Sequence, residues 1–122
     1  MSDPEQARAA LRSANAARAA HTALRREVAA GGLTGGLERA IVALSEPGAV
    51  STIPLGRLFS SIPGFGASTV ARVLAYAGVG HRTRPCDLTN TRRGALIYAL
   101  QRGRLRSARN APEARFSLSR EL

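Results

Sequence analysis

Residues 58–79 read LFSSIPGFGASTVARVLAYAGV, and their periodicity decides the fold class. Leu58, Phe59 and Ile62, preceded by Leu55, repeat at helical spacing, and Val70, Val73, Leu74 and Ala77 do so again. Each set marks the inward stripe of an amphipathic helix. Between them stands Ile62-Pro63-Gly64-Phe65-Gly66-Ala67-Ser68-Thr69, in which Pro63-Gly64 breaks the first helix. The second is expected to open with Ser68 as its cap and to close at Gly78. The segment therefore reads as two short helices joined by a tight glycine corner, with Arg57 and Arg72 opposite the apolar stripes and facing solvent.

The flanks continue the helical pattern. Residues 5–30 are Ala- and Arg-rich and predict one long helix, ended by Gly31-Gly32. Only Leu24 and Val28 give it a large apolar contact, so its first half is expected to project with little to bury. Leu37, Ala40, Ile41 and Leu44 mark a second helix ending at Ser45-Glu46-Pro47-Gly48, which Leu33 extends backwards. The third helix is expected to begin near Thr52 with Pro54 in its first turn. Residues 78–88 (GVGHRTRPCDL) read as a polar connector carrying Arg82 and Arg84, with Asp87 capping a fifth helix over 89–101 packed through Leu96, Ile97 and Leu100. Beyond Gly103 an Arg-rich stretch is expected to grade into a disordered tail. No strand-like alternation interrupts this, so the chain reads as all-α: an arm over 1–32, a helical domain over 33–103 and a tail over 104–122.

Charge is distributed unevenly along the 122 residues. The net charge is +10, and all 18 basic residues are Arg. Residues 1–52 hold six Arg against five acids, whereas residues 53–109 hold ten Arg against Asp87 alone. Such a local excess is the electrostatic footprint of a polyanion binder, because solubility alone does not require acids to be swept from one half.

The glycine corner gives that charge a place to act. A Gly-x-Gly turn lets backbone approach a phosphate, and the following helix start offers unpaired N–H groups and the positive end of a dipole. Ser68 and Thr69 add hydroxyls. The same glycines also suit a tight helical corner for its own sake, through a left-handed residue at Gly66. The candidate nucleic-acid contacts are Gly64, Phe65, Gly66, Ala67, Ser68, Thr69, Arg57, Arg72, Arg82, Arg84, Arg92 and Arg93.

Other chemistry has little to stand on. Cys86 is the single cysteine, and with only His21 and His81 beside it a metal site lacks ligands. Both histidines read as ordinary surface residues. There is no Lys for Schiff-base chemistry and no cofactor motif, so no enzyme is expected. No stretch is apolar enough to span a membrane and none reads as a signal peptide, which makes the expected location cytoplasmic.

The run over 58–79, its basic linker and the helix opened by Leu88-Thr89-Asn90 resemble the helix-two-turns-helix module. From Glu5 to Leu100 the order of parts is similar to the actinobacterial (mycobacterial-type) integration host factor family. That resemblance implies a small nucleoid-associated protein, monomeric when free, that binds duplex DNA with little sequence preference, bends or compacts it and assists a phage integrase. The family's Leu-Pro-x-Val-Gly turn matches Ile62-Pro63-Gly64-Phe65-Gly66, and its basic linker matches the neighbourhood of Arg82 and Arg84. This chain departs from the family after the second glycine, where Ala67, Ser68 and Thr69 replace the usual basic residues. It departs again where Cys86-Asp87 replaces an Arg-Gly pair. The resemblance then implies that some phosphate attraction moves to Arg104, Arg106 and Arg109. The competing reading is an RNA-binding protein resembling a ribosomal small-subunit protein with a related module and a basic C-terminal extension.

Overall fold

The computed structural model describes the backbone of residues 3–110 and the side chains of residues 3–103. Five α-helices follow one another: α1 Pro4–Ala30, α2 Gly32–Ala43, α3 Leu55–Ser60, α4 Ala67–Ala77 and α5 Asn90–Asn110. Short 3₁₀ turns at Ala49–Thr52 and Pro85–Asp87 precede α3 and α5. There is no strand among the described residues.

The long helix α1 is set by its Ala content and by a cap, since the Asp3 carboxylate accepts from Glu5 N–H at 3.1 Å and Pro4 occupies the first helical position. Its inward face is narrow. Leu24 and Val28 are buried, Leu11 is 59% exposed, and residues 3–16 are all exposed, as the apolar spacing predicts. One anchor is absent from that prediction. His21, one turn before Leu24, is half-buried, and its Nε2 lies 3.0 Å from the Ala49 carbonyl and 2.9 Å from Thr52 Oγ1. Because Thr52 Oγ1 itself donates to the Ala49 carbonyl at 2.7 Å, Nε2 carries the hydrogen and donates to both oxygens. His21 is thus a tie between α1 and the 3₁₀ turn before α3 and not an ordinary surface residue.

The turn between α1 and α2 is shorter than the Gly31-Gly32 break suggests. Gly31 ends α1 and α2 starts at the next residue, with Gly32 at φ +70°. The helices approach so closely that a Cβ at Gly31 would lie 2.7 Å from Gly35 C and Gly36 N, and one at Gly36 would collide with the Val28 carbonyl oxygen. Arg39 then staples the hairpin from outside by pairing with Glu27 of α1 and with Glu46 beyond α2. Those two carboxylates hold its guanidinium more firmly protonated than usual, Glu46 most of all.

The core is the set of apolar stripes read from the sequence. Leu37 and Ala40 of α2 and Leu44 at its end share one buried cluster with Leu55, Leu58, Phe59 and Ile62, and α4 adds Val70, Val73, Leu74 and Ala77. Leu96 and Leu100 of α5 close it, with Ile41 and Ile97 only partly buried. Each fully buried side chain of this kind contributes about 1.5–3 kcal/mol. No buried side-chain N or O atom lacks a partner among the described residues.

Three boundaries differ from expectation. Pro54 is the cap of α3, in extended conformation, and not part of its first turn. The first two N–H groups of α3 donate backwards to the connector, Leu55 to the Thr83 carbonyl at 2.8 Å and Gly56 to the His81 carbonyl at 2.9 Å. The start of α5 is capped by Thr89, whose Oγ1 accepts from Arg92 N–H at 3.2 Å, while Asp87 caps the small turn before it. Finally, α5 does not stop near Gln101 but runs on through Gly103 to Asn110. A Cβ at Gly103 would lie 3.2 Å from the Phe65 ring and 3.4 Å from Thr69 Cγ2, so this glycine marks a close helix crossing and not a helix end. The rest of the expected tail, residues 111–122, lies outside the described residues.

Residues 3–12 are exposed throughout, so truncation of residues 1–12 is expected to lower the melting temperature by less than about 3 °C. Gly36→Ala places a methyl group against the Val28 carbonyl and is expected to cost roughly 1–3 kcal/mol or more. Thermal and urea unfolding of the two variants check both; a large loss from the truncation would mean that the arm packs.

Candidate nucleic-acid interface

The corner between α3 and α4 is built around one inward ring. Ile62 ends the α3 stripe, Phe65 N–H donates to the Ile62 carbonyl at 3.0 Å, and the Phe65 side chain is only 7% exposed. Turning the chain so that both residues point inward requires φ +88° at Gly64, a region that disfavours any Cβ. Gly64, Gly66, Ala67 and Ser68 are left on the outside. Phe65 itself, a candidate contact in the sequence, is a core residue.

Gly66 is extended (φ −83°, ψ 175°), so the left-handed residue of the corner is Gly64 and not Gly66. A Cβ built at Gly66 meets no atom within 4 Å. Among the described residues nothing therefore requires glycine there on steric grounds or fills the space in front of it. Gly66 is also the cap residue of α4, which corrects the expectation for Ser68. Since glycine has no side chain to offer, the N–H groups of Ala67, Ser68 and Thr69 donate to no group among the described residues. Asp3, the connector and Thr89 take up N–H groups at the starts of α1, α3 and α5, whereas the starts of α2 and α4 have no side-chain cap. That of α4, the one in the Arg-rich half, presents N–H donors without a partner among the described residues and the positive end of its dipole. The Ser68 hydroxyl is exposed beside them, while Thr69 is half-buried against α5.

The arginines fall into two groups. Arg57, Arg72, Arg82 and Arg92 are exposed, and their guanidinium groups make no hydrogen bond or ion pair among the described residues. Arg57 and Arg82 each follow, by one residue in sequence, an end of the Gly56–His81 backbone bond, so α3 and the connector hold them together. Arg72 lies one turn into α4. Arg92 sits eleven residues before Gly103, about 16 Å along α5 from the crossing at the α4 start.

The second group is already engaged. Arg93 is half-buried and donates to the Leu44 carbonyl at 3.0 Å and to Asn90 Oδ1 at 2.9 Å, joining the start of α5 to the end of α2. It is a strut whose guanidinium donors are taken up by neutral oxygens of the fold, although its charge is not paired with an acid among the described residues. Arg84 grips Asp87 through Nε at 3.0 Å and a second nitrogen at 3.2 Å. The Arg84 guanidinium holds the Asp87 carboxyl below the usual carboxylate range, and the carboxylate in turn raises Arg84. Sequence reasoning missed Arg102. It precedes Gly103 and so lies where α5 crosses the α4 start, and the signal that locates it is the glycine itself, read as a crossing point.

Among the described residues no three His, Cys, Asp or Glu side chains gather as a metal site would need, and no helix is long and apolar enough to cross a membrane. Comparison with protein-family models, with curated proteins and with solved structures finds no match to this chain.

Asp87→Asn removes the one acid of residues 53–103 and releases Arg84, so later elution from a heparin column is expected, with melting at neutral pH almost unchanged. Because the Asp87 carboxyl is depressed in the folded state, its small contribution is present above the ordinary carboxylate pKa and is lost as pH falls through the depressed one. The melting temperatures of wild type and Asp87→Asn should therefore converge in acid. Earlier elution of the variant would show that Arg84 works only as positioned by Asp87.

Proposed function

We propose that this protein binds double-stranded DNA through its phosphates, with little regard to sequence, as a nucleoid-associated protein of the integration host factor kind it resembles. On this reading α3, the glycine corner and α4 correspond to the first part of a helix-two-turns-helix module, and the connector with α5 completes it. The observation that carries the proposal is the start of α4: N–H donors with no acceptor, behind a glycine with no neighbour within 4 Å of its Cβ position, among the described residues, in the half of the chain where arginines outnumber acids ten to one. A phosphate seated there accepts from the Ala67, Ser68 and Thr69 amides and meets the field of Arg72, with Arg57 and Arg82 reaching neighbouring phosphates. Backbone amides and arginines of this kind fix position on a duplex without reading bases. Bending or compaction of DNA, and assistance to an integrase, follow from the resemblance.

Two expectations test it. If four to six phosphates are neutralised, log K against log salt should fall with a slope of about −4 to −5, and Arg57→Ala, Arg72→Ala and Arg82→Ala should each reduce that slope by about one. A slope near −1, or tighter retention on structured RNA than on duplex DNA at equal salt, contradicts the proposal. The second test separates the corner's fold from its use. Gly66→Asp puts a favourable cap on α4 in a backbone conformation that suits it, so the melting temperature should hold or rise slightly. The same carboxylate occupies the amides and repels phosphate, so duplex affinity should fall at least tenfold. Unchanged affinity in the folded variant would place the binding surface elsewhere.

A further inference from the structure

The chain has two tyrosines, and both are on the surface and in contact. Tyr76 of α4 is 60% exposed and Tyr98 of α5 is 47% exposed, with ring centroids 5.6 Å apart and planes inclined at 33°. The buried aromatics Phe59 and Phe65 serve the core; these two do not. Arg102, one turn after Tyr98, places its guanidinium carbon 5.7 Å from the Tyr98 ring centroid and donates to the Tyr98 hydroxyl at 2.9 Å. Arg72, one turn before Tyr76 on α4, is exposed with its charge free. The α4–α5 crossing at Thr69 and Gly103 lies at the Arg72 and Arg102 end of this arrangement, so the rings extend away from the open α4 start.

Two exposed rings flanked by arginines, with no acid on either helix, form a surface on which aromatic rings stack and to which phosphates are drawn. We propose that Tyr76 and Tyr98 are a stacking platform for unpaired DNA bases. A base laid on Tyr76 adds one ring to the series Arg102, Tyr98, Tyr76, and its flanking phosphates meet Arg72 and Arg102. The proposal rests on the phosphate-binding reading above and adds to it a preferred substrate feature, a single-stranded segment next to duplex. Charge selects this occupant over a second copy of the chain, because pairing two such faces brings four guanidinium groups together.

The chain has no Trp, so Tyr76 and Tyr98 are its intrinsic fluorophores and report directly on the platform. The experiment titrates the full-length protein with oligo(dT), with a blunt duplex and with the same duplex carrying a single-stranded overhang, following tyrosine emission and affinity. The variants are Tyr76→Leu, which keeps an apolar side chain and helix propensity, and Tyr76→Phe, which keeps the ring. Circular dichroism confirms the fold of each. Oligo(dT) and the overhang should quench tyrosine emission strongly and the blunt duplex weakly. Tyr76→Leu should bind both single-stranded probes about five- to tenfold more weakly, with blunt-duplex affinity within twofold of wild type, and Tyr76→Phe should restore binding. If wild type binds blunt duplex without preferring the overhang, or if Tyr76→Leu binds oligo(dT) as wild type does, the platform is refuted and the duplex reading stands. Binding to no DNA at low salt refutes both. A dimer in sedimentation that Tyr76→Leu dissolves shows that the face belongs to a second copy and also refutes the platform.

Discussion

One buried ring holds the arrangement on which the rest depends. Phe65 points into the core between the start of α4 and the crossing with α5, and three features of the chain exist on its account. Gly64 takes the left-handed conformation that lets Phe65 turn inward after Ile62. Gly103 is side-chain-free because any Cβ would press on the Phe65 ring and on Thr69. Gly66, the next residue, is thrown outward in extended conformation as the cap of α4. The core requirement fixes where the corner sits, and the corner leaves a helix start without a cap. A polar side chain at residue 66 would satisfy those amides; glycine offers them none.

Electrostatics divide the molecule along the same line. On the α1–α2 side acids and bases meet each other, with Arg39 between Glu27 and Glu46 stapling the helical hairpin. On the α3–α5 side Asp87 is the one acid, and it is spent on Arg84. Arg57, Arg72 and Arg82 are left exposed with charges that nothing in the described protein compensates. Mutual repulsion of such charges is a cost to the compact state that an anionic partner relieves. The proposed function joins these two facts, a field without counter-charge and a set of donors without acceptors, at one corner of the fold.

Much of the fold was legible in the sequence, because periodic apolar residues report helices wherever packing is the organising force. Leu24, Val28, Leu58, Phe59, Val73 and Leu96 all lie where their spacing puts them. What escaped has no period. His21 reaching Ala49 and Thr52, and Arg93 reaching Leu44, are single polar side chains bonding across 28 to 49 residues, and nothing in the neighbouring sequence announces them. Glycines misled for a related reason. Gly103 marks a close approach between helices and ends none, whereas Gly31 both ends α1 and lets α2 come close, and local sequence does not distinguish the two uses. In the candidate site, the corner and the exposed arginines were readable from turn chemistry and charge. The burial of Phe65, the pairing of Arg84 and the place of Arg102 were not, since each depends on which element packs against it.

The most direct test of the central claim is an amide NMR titration of the full chain with a short duplex. The account predicts the largest early shifts at Ala67, Ser68 and Thr69, with Gly66 and the connector around Arg82 close behind, and little change over residues 27–46. Amides of the α4 start that stay still while those of α1 and α2 move would contradict it.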